Sequence, residues 1–395
     1  MAESSFIPFH VPSIGQEEID AVNEVLTSRW LTTGPVTLEF QKEFASYVGS
    51  KHALAVNSGT AALQLALDAI GLRAGDEVLV PTNTFTATAE VVTYFGAHPV
   101  LCDSVPGGFN IGLEDAERRI TERTRAIIPV HIAGEPCPMD RLREFALRHR
   151  LHVIEDAAHA LPANYRGRRI GTISELTAFS FYATKTLSTG EGGMLTTDND
   201  AYAERASIMR LHGIGGDAWK RYSRTGSWYY EVQDAGFKMN LPDILSALGR
   251  AQLRKCDLFR QRRREISAYY NQEFGNIDVL ELPPGDSENV EHAWHLYILR
   301  LRPDLLTVDR DEFIRQLKIL GVGTSVHFIP LHRHPFWAKQ YGHKPQDFPN
   351  AEDAFARCFS LPIYPGMTEE QIERVTHAVG QIATSNSKRT AVVAG

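Results

Sequence analysis

Apolar residues recur at helical spacing from Ile19 to about Leu26 and again from Leu38 to Val48, and Thr33-Gly34-Pro35 breaks the chain between them. Two short opening helices are predicted. The period then changes. Ala53-Leu54-Ala55-Val56 is a short apolar run, Asn57-Ser58-Gly59-Thr60 is a turn, and Ala61 to Ile70 returns to helical spacing. The same unit recurs with Glu77 to Val80 ahead of Ala87 to Phe95, and with Ala126 to Val130 ahead of Met139 to His149. Pro99 to Cys102 and His152 to Glu155 read as further strands. Short buried strands alternating with helices predict an α/β layer on a largely parallel sheet.

Leu176 to Tyr182 and Gly193 to Thr197 read as two more strands flanking Ala183 to Gly192, and a helical region runs from Leu241 past Tyr269. Beyond it the alternation weakens. A strand-like segment from Ala293 to Leu301, a helix from Arg310 to Leu320 and a strand-like Thr324 to Phe328 suggest a smaller α+β unit. The predicted division is a large unit over 1–255 that includes the opening helices, a small one over 256–383, and a polar, frayed tail over 384–395.

At 395 residues the chain has room for two to three domains of about 150 residues each. With 43% apolar and 23% charged residues its composition is that of an ordinary globular protein. The net charge of −7 has the wrong sign for general binding to a phosphate backbone, so nucleic acid is not expected as a partner. Cys102, Cys137, Cys256 and Cys358 lie far apart with no C-x-x-C pair, which supports neither a zinc site nor a disulfide framework. Met1 to Asp20 lacks a basic segment followed by an apolar one, and no apolar run approaches membrane-spanning length. A reduced, cytoplasmic setting without membrane contact is expected.

Ser58-Gly59-Thr60 closes a strand and opens a helix, and a helix start offers free N–H groups and a positive dipole end to a phosphate. An ordinary Ser/Thr cap is the bland alternative. Neither Gly190-Glu191-Gly192-Gly193 nor Gly213-Ile214-Gly215-Gly216 has dinucleotide-binding spacing, and no Walker A motif occurs. Asp156 follows a strand at the carboxyl end, where open α/β sheets bind ligands; its partner is either a structural donor or a cationic ligand atom. Lys185 follows another apolar strand, where a lysine can point into a cleft instead of solvent. Together, an anion-binding helix start, an acid and a lysine meet the needs of pyridoxal phosphate: a phosphate cup, a carboxylate for the ring nitrogen and an amine for the aldehyde. Phe85, at the end of the next strand, offers an aromatic face to the ring or to the core.

Further motifs extend this pattern along nearly the whole chain. Trp30-Leu31-Thr32-Thr33-Gly34-Pro35, Asn57 to Thr60, Val153 to His159, Ser180 to Gly193, Gly321 to His332 and Ser360-Leu361-Pro362 make the sequence resemble the DegT/DnrJ/EryC1/StrS sugar aminotransferases. That resemblance implies the fold-type I, aspartate aminotransferase-like architecture, with a mixed, mostly parallel sheet and a smaller α+β C-terminal domain. It implies that Lys185 holds the cofactor covalently and shuttles the proton, that Asp156 pairs with the pyridine nitrogen, and that Ser58, Gly59, Thr60 and Ser180 hold the phosphate. His159 would lie near the ring's phenolic oxygen. Asn240 would reach the phosphate of a neighbouring subunit, which requires a homodimer with shared sites. Substrate contacts are implied for Trp30, Thr32, His212, His327 and His332. His212 to Trp219, Asn240-Leu241-Pro242-Asp243 and His292 to Leu296 are most similar to enzymes that aminate C4 of a UDP-linked 4-keto sugar, with glutamate as donor and UDP favoured over dTDP.

Relatives that dehydrate at C3 carry histidine at the lysine position, so Lys185 argues against that class. An amino-hydroxybenzoate synthase and a non-catalytic regulatory relative are the rival readings. No metal is expected: His327, His332 and His334 lack a carboxylate or cysteine at familiar spacing and read as loop residues beside the substrate cleft. Arg260, Arg262, Arg263 and Arg264 read as a solvated helix face or subunit contact. Trp294 and Trp337 read as packing residues.

Overall fold

The computed structural model describes residues 6–215 and 228–388. The apolar runs become β1 (His52–Val56), β2 (Glu77–Pro81), β3 (His98–Cys102), β4 (Thr124–Ile127) and β5 (His152–Asp156). A small hairpin of β6 (Asn164–Tyr165) and β7 (Arg168–Arg169) follows, then β8 (Leu176–Ser180) and β9 (Gly193–Thr197). Seven of these form one sheet in the order β1-β9-β8-β5-β4-β2-β3. From β3 across to β8 every pair is parallel, while β9 runs antiparallel to both β8 and β1. The predicted largely parallel sheet is therefore present.

Alternation along each strand supplies the two faces of this layer. Ala53 and Ala55 of β1, Val153 of β5 and Phe179 of β8 enter a core that also holds Phe40 and Phe44. Leu54, Val56, Ile154 and Ala178 enter the opposite core, against α3. The helices α1 (Gln16–Ser28), α2 (Pro35–Val48), α3 (Gly59–Ala69) and α4 (Ala87–Thr93) begin close to their predicted positions. Because β1, β2, β5 and β8 all point the same way, their carboxyl ends share one edge of the sheet, which carries Ser58, Thr84, Phe85, Asp156 and Ser180.

A second, antiparallel sheet joins β10 (Leu280–Glu281), β12 (Tyr297–Leu301) and β13 (Cys358–Leu361), while β11 (Val290–Glu291) pairs with β6. Its core includes Tyr270, Phe313 and Val379 from the helices Cys256–Phe274, Arg310–Ile319 and Glu369–Ser385. Ile7 joins the same core. Its N–H donates to Gly321 and its carbonyl accepts from Gly323, both at 2.8 Å, so the first described residues pack with the smaller unit although the sequence groups them with the larger.

The structure corrects four sequence expectations. The region from Leu241 to Tyr269 is two helices, Asp243–Leu253 and Cys256–Phe274, and the break at Arg254-Lys255 lets the Lys255 ammonium reach the buried Glu18 at 2.8 Å. Thr324 to Phe328 is not a strand, since Ser325 alone bridges Ser360 before the chain turns away. The expected tail starts too early: helix Glu369–Ser385 covers Thr384, and Asn386 Nδ2 donates to Gln316 Oε1 at 3.0 Å. Arg263 is not on a solvated face. It is fully buried and its Nη1 donates to the carbonyls of Trp294, His295 and Ile363.

Trp294 and Trp337 are buried as expected, and all four cysteines are free and buried. Among the described residues no helix is long and apolar enough to cross a membrane.

One long-range contact ties α2 to the rest. The residue before α2 is Gly34, which has no side chain to cap the helix. Asp243 caps it from a distance: its carboxylate accepts from the N–H groups of Gly34, Val36 and Thr37 and from the Thr37 hydroxyl. A Cβ at Gly34 would sit 2.1 Å from Trp30 Nε1 and 2.8 Å from Asp243 Oδ2, so glycine is required by space. Asp243→Ala is expected to cost about 2–4 kcal/mol, because three amides and a hydroxyl lose a buried charged acceptor. Urea denaturation checks this; an unchanged midpoint would show that α2 is capped otherwise.

Candidate active site

Ser58 ends the turn after β1 in extended conformation, and its hydroxyl accepts from the Ala61 N–H at 3.0 Å. The bland capping role is therefore real, and it leaves the first amides of α3 aimed beyond the sheet edge. Gly59 lies against Ser180, since a Cβ there would come within 2.9 Å of the Ser180 Cβ. Helix start and strand end thus meet, bringing Ser58, Gly59, Thr60 and Ser180 into one polar cup.

Asp156 ends β5 with only 6% of its surface exposed. Its Oδ2 accepts from the Thr88 hydroxyl at 2.8 Å and its Oδ1 from the Ala158 N–H at 3.1 Å. Burial still lifts its pKa above the usual carboxylate range; the two donors and the Lys185 and His131 charges hold it down in part. Lys185 follows β8, half-buried, with its N–H donating to the Tyr182 carbonyl at 2.9 Å. Desolvation brings its amine down to about 8, against the pull of the Asp156 charge.

His159 is buried, and its Nδ1 accepts from the Ala133 N–H at 3.2 Å. Burial, with the charges of Lys185 and His327, keeps this ring well below its ordinary pKa, so its one proton sits on Nε2. His159 packs 4.4 Å from His295 and 5.7 Å from Phe328, ring centre to ring centre. Phe85 is 59% exposed, with its ring 6.0 Å from that of Phe328; it lines the cleft rather than the core. His327 is half-buried, accepts or donates at Nδ1 with the Ser360 hydroxyl at 2.8 Å, and is held down to about 4 by burial and the Lys185 charge.

Other predicted residues stand apart from this group. His332 is buried with both ring nitrogens engaged, Nδ1 with Thr82 Oγ1 at 2.8 Å and Nε2 with Glu352 at 2.6 Å, so it anchors its loop and has no nitrogen left for a substrate. His212 is exposed, at a left-handed φ of 59°, with its N–H on the Phe237 carbonyl. Trp30 packs over Gly34 and donates to the Thr33 carbonyl, and Thr32 is exposed beside it. Asn240 pairs with Val56 of its own chain, and its Nδ2 donates to Thr33 Oγ1 at 2.7 Å. Part of the His212 to Trp219 motif, from Gly216 on, lies outside the described residues.

The sequence reading missed Thr84, Thr88, His10 and His295. Thr88 touches Asp156 directly, and its one available signal was its place one turn beyond Thr84 at the start of α4. His295 sat inside a quoted motif, yet only the fold shows its ring against His159. Burial and the Lys185 charge act on His10 and His295 as they do on His159 and His327.

A lysine amine, a buried acid and an anion cup on one edge of a mostly parallel sheet define a fold-type I pyridoxal phosphate enzyme. The chain belongs to the DegT/DnrJ/EryC1/StrS aminotransferase family, whose model matches residues 12–380. It is 51% identical over 386 residues to an uncharacterized protein of Methanocaldococcus jannaschii, covering 98% of this chain and 100% of that one. It is 48% identical over 378 residues to the spore coat polysaccharide biosynthesis protein SpsC of Bacillus subtilis, covering 95% and 97%. A Streptococcus pneumoniae protein solved in its PMP form superposes with a TM-score of 0.91 at 32% identity over 96% of this chain and 99% of that one; its PLP form gives 0.90.

The residues present fit that cofactor. The start of α3 packs so closely on Ser180 at Gly59 that its first amides and the Ser180 hydroxyl share one polar edge suited to a phosphate, the carboxylate of Asp156 is buried, and the amine of Lys185 is partly neutral near pH 8. Below that value the neutral amine rises about tenfold per pH unit. The rate at which apo-protein captures pyridoxal phosphate in a borohydride-reducible link is therefore expected to climb from pH 6 to 8 and flatten above 9. Mass spectrometry after reduction reads it. A flat profile, or a reducible link retained in Lys185→Ala, would remove Lys185 from this role.

Proposed function

We propose that this enzyme transfers an amino group from glutamate to a keto group, at C4, of a UDP-linked deoxysugar. The observation that carries the reading is Lys185: an amine of pKa about 8 at the end of β8, electrostatically coupled to the buried Asp156. Amino transfer needs a group that bonds the cofactor, releases it, and then moves a proton between two carbons; an amine near neutrality does all three. The sugar is supported by the likeness to a spore coat polysaccharide biosynthesis protein. C4 and UDP rest on the motifs Asn240-Leu241-Pro242-Asp243 and His292 to Leu296.

The bound cofactor supplies an electron sink and carries the amino group between the two substrates. The chain does the rest. Lys185 would hold the cofactor through its Nζ and, when that amine is free, would hold the mobile proton there. Asp156 would keep a proton on the pyridine nitrogen through its negative charge. The α3 amides with Ser58, Gly59, Thr60 and Ser180 would hold the phosphate. His159 would offer its Nε2–H to the ring's phenolic oxygen, and the exposed Phe85 would offer its face to the ring. Trp30, Thr32, His212 and His327 contact substrate, and His332 fixes the loop that carries His327.

Asn240 completes the phosphate site of a second copy, making the working unit a homodimer, in the cytoplasm where nucleotide-linked sugars are made. Two experiments test these claims. Pyridoxamine-form enzyme incubated with a panel of UDP- and dTDP-linked 3-keto and 4-keto sugars is expected to aminate a UDP-4-keto sugar best, with glutamate restoring the enzyme. Turnover of a cyclic keto acid alone would favour the amino-hydroxybenzoate reading.

Equal amounts of Lys185→Ala and an impaired Asn240 variant are expected to regain activity when mixed, up to about a quarter of wild type, because half the dimers are mixed and half their sites are intact. No recovery despite demonstrated subunit exchange would end the shared-site claim and leave the cofactor assignment standing.

A further inference from the structure

Thr84 and Thr88 lie one helical turn apart at the carboxyl end of β2, and both are buried. Their hydroxyls are 2.8 Å apart, and the Thr88 hydroxyl donates to Asp156 Oδ2 at 2.8 Å. A hydroxyl has one proton. Since Thr88 gives its proton to Asp156, it must accept from Thr84, so the chain runs in one direction from Thr84 through Thr88 to the carboxylate. Phe85, between them in sequence, projects instead into the cleft.

We infer that this directed hydroxyl chain makes Thr88 a positioning residue, holding Asp156 as an acceptor with a fixed carboxylate plane toward the cofactor's pyridine nitrogen. The inference rests on the reading of Asp156 given above. Each donor in such a chain polarises the next, so Thr84 strengthens the bond that Thr88 makes. The Ala158 N–H holds Oδ1 from within the same segment, and only Thr88 holds Oδ2. Without the Thr88 donor the carboxyl would be free to rotate, and burial would favour its neutral form. The titratable groups that act on Asp156 are Lys185, after β8, and His131, after β4; neither replaces the hydroxyl, because neither hydrogen-bonds the carboxylate. His131 spends its Nε2 on Glu155 at 2.9 Å and its Nδ1 on the Cys137 N–H.

The test reconstitutes wild type, Thr88→Val, Thr88→Ser, Thr84→Val and Asp156→Asn with pyridoxal phosphate carrying nitrogen-15 in the ring. The pH at which the ring nitrogen loses its proton is read by NMR, beside kcat and KM. In wild type the nitrogen is expected to stay protonated from pH 6 to 9. In Thr88→Val, nearly isosteric and without the donor, the midpoint should fall by about one unit and kcat by roughly tenfold, with KM little changed. Thr88→Ser should restore both, and Thr84→Val should shift both in the same direction by less.

A wild-type nitrogen titration and kcat in a folded Thr88→Val, or in Thr84→Val should Thr88→Val not fold, would overturn the inference. Asp156→Asn separates the two levels. If it too leaves the nitrogen protonated, the reading of Asp156 fails; if it strips the proton while Thr88→Val does not, only the hydroxyl chain fails.

Discussion

The arrangement of this protein turns on one buried carboxylate. Taking an ionised Asp156 out of water costs several kcal/mol. Two hydrogen bonds to it, from Thr88 and the Ala158 N–H, return about 1.5–3 kcal/mol each, which nearly offsets that cost without clearly exceeding it. The upward direction of its pKa shows that burial still wins. A carboxylate held so close to balance gains most from one more cationic partner, and a protonated pyridine nitrogen is such a partner. Affinity for the cofactor and ionisation of the acid are in this way the same quantity seen from two sides.

The sheet makes that arrangement possible. Parallel strands end together, so β1, β2, β5 and β8 each deliver one component to the same edge. The reversal at β9 is what brings β1, first in sequence, next to the others with its carboxyl end on the correct side. Distant segments then lock onto this edge. Asp243 caps α2, Asn240 bonds Thr33, and the Asn57 N–H donates to the Met239 carbonyl, so that the segment before Ser58 and the segment after residue 238 form one surface.

Much of this was legible because its signals are local. Strand runs in β1, β5 and β8 are short, continuous and bounded by turns; Ser58, Asp156 and Ser180 stand at or just past their ends, with Lys185 in the turn after β8, where chain direction puts them on one edge. What could not be read depends on contacts between segments that no local pattern links. Nothing near Arg263 reveals that three carbonyls await it from Trp294, His295 and Ile363. His332 and His327 are equivalent as loop histidines in sequence, yet Thr82 and Glu352 claim one while the other is held by Ser360 near Lys185. Ile7 pairs with Val322, a partner no periodicity indicates.

The histidines around Lys185 show why the site has so little net charge to manage. His10, His159, His295 and His327 are all driven below their ordinary pKa by burial, and the Lys185 charge adds to the effect on each. At neutral pH they are therefore uncharged donors and acceptors; the Lys185 charge acts on all four and the Arg263 charge on His10 and His295, while Lys185 and Asp156 act on each other. A cationic ring beside Lys185 would compete with it for the carboxylate and raise the cost of the amine's own charge. Neutral rings do neither, and burial brings the amine down to about 8, where it changes protonation state near neutral pH. The burial that makes Asp156 reluctant to ionise is the burial that makes Lys185 ready to give up its proton, so the largest part of the two perturbations has one cause.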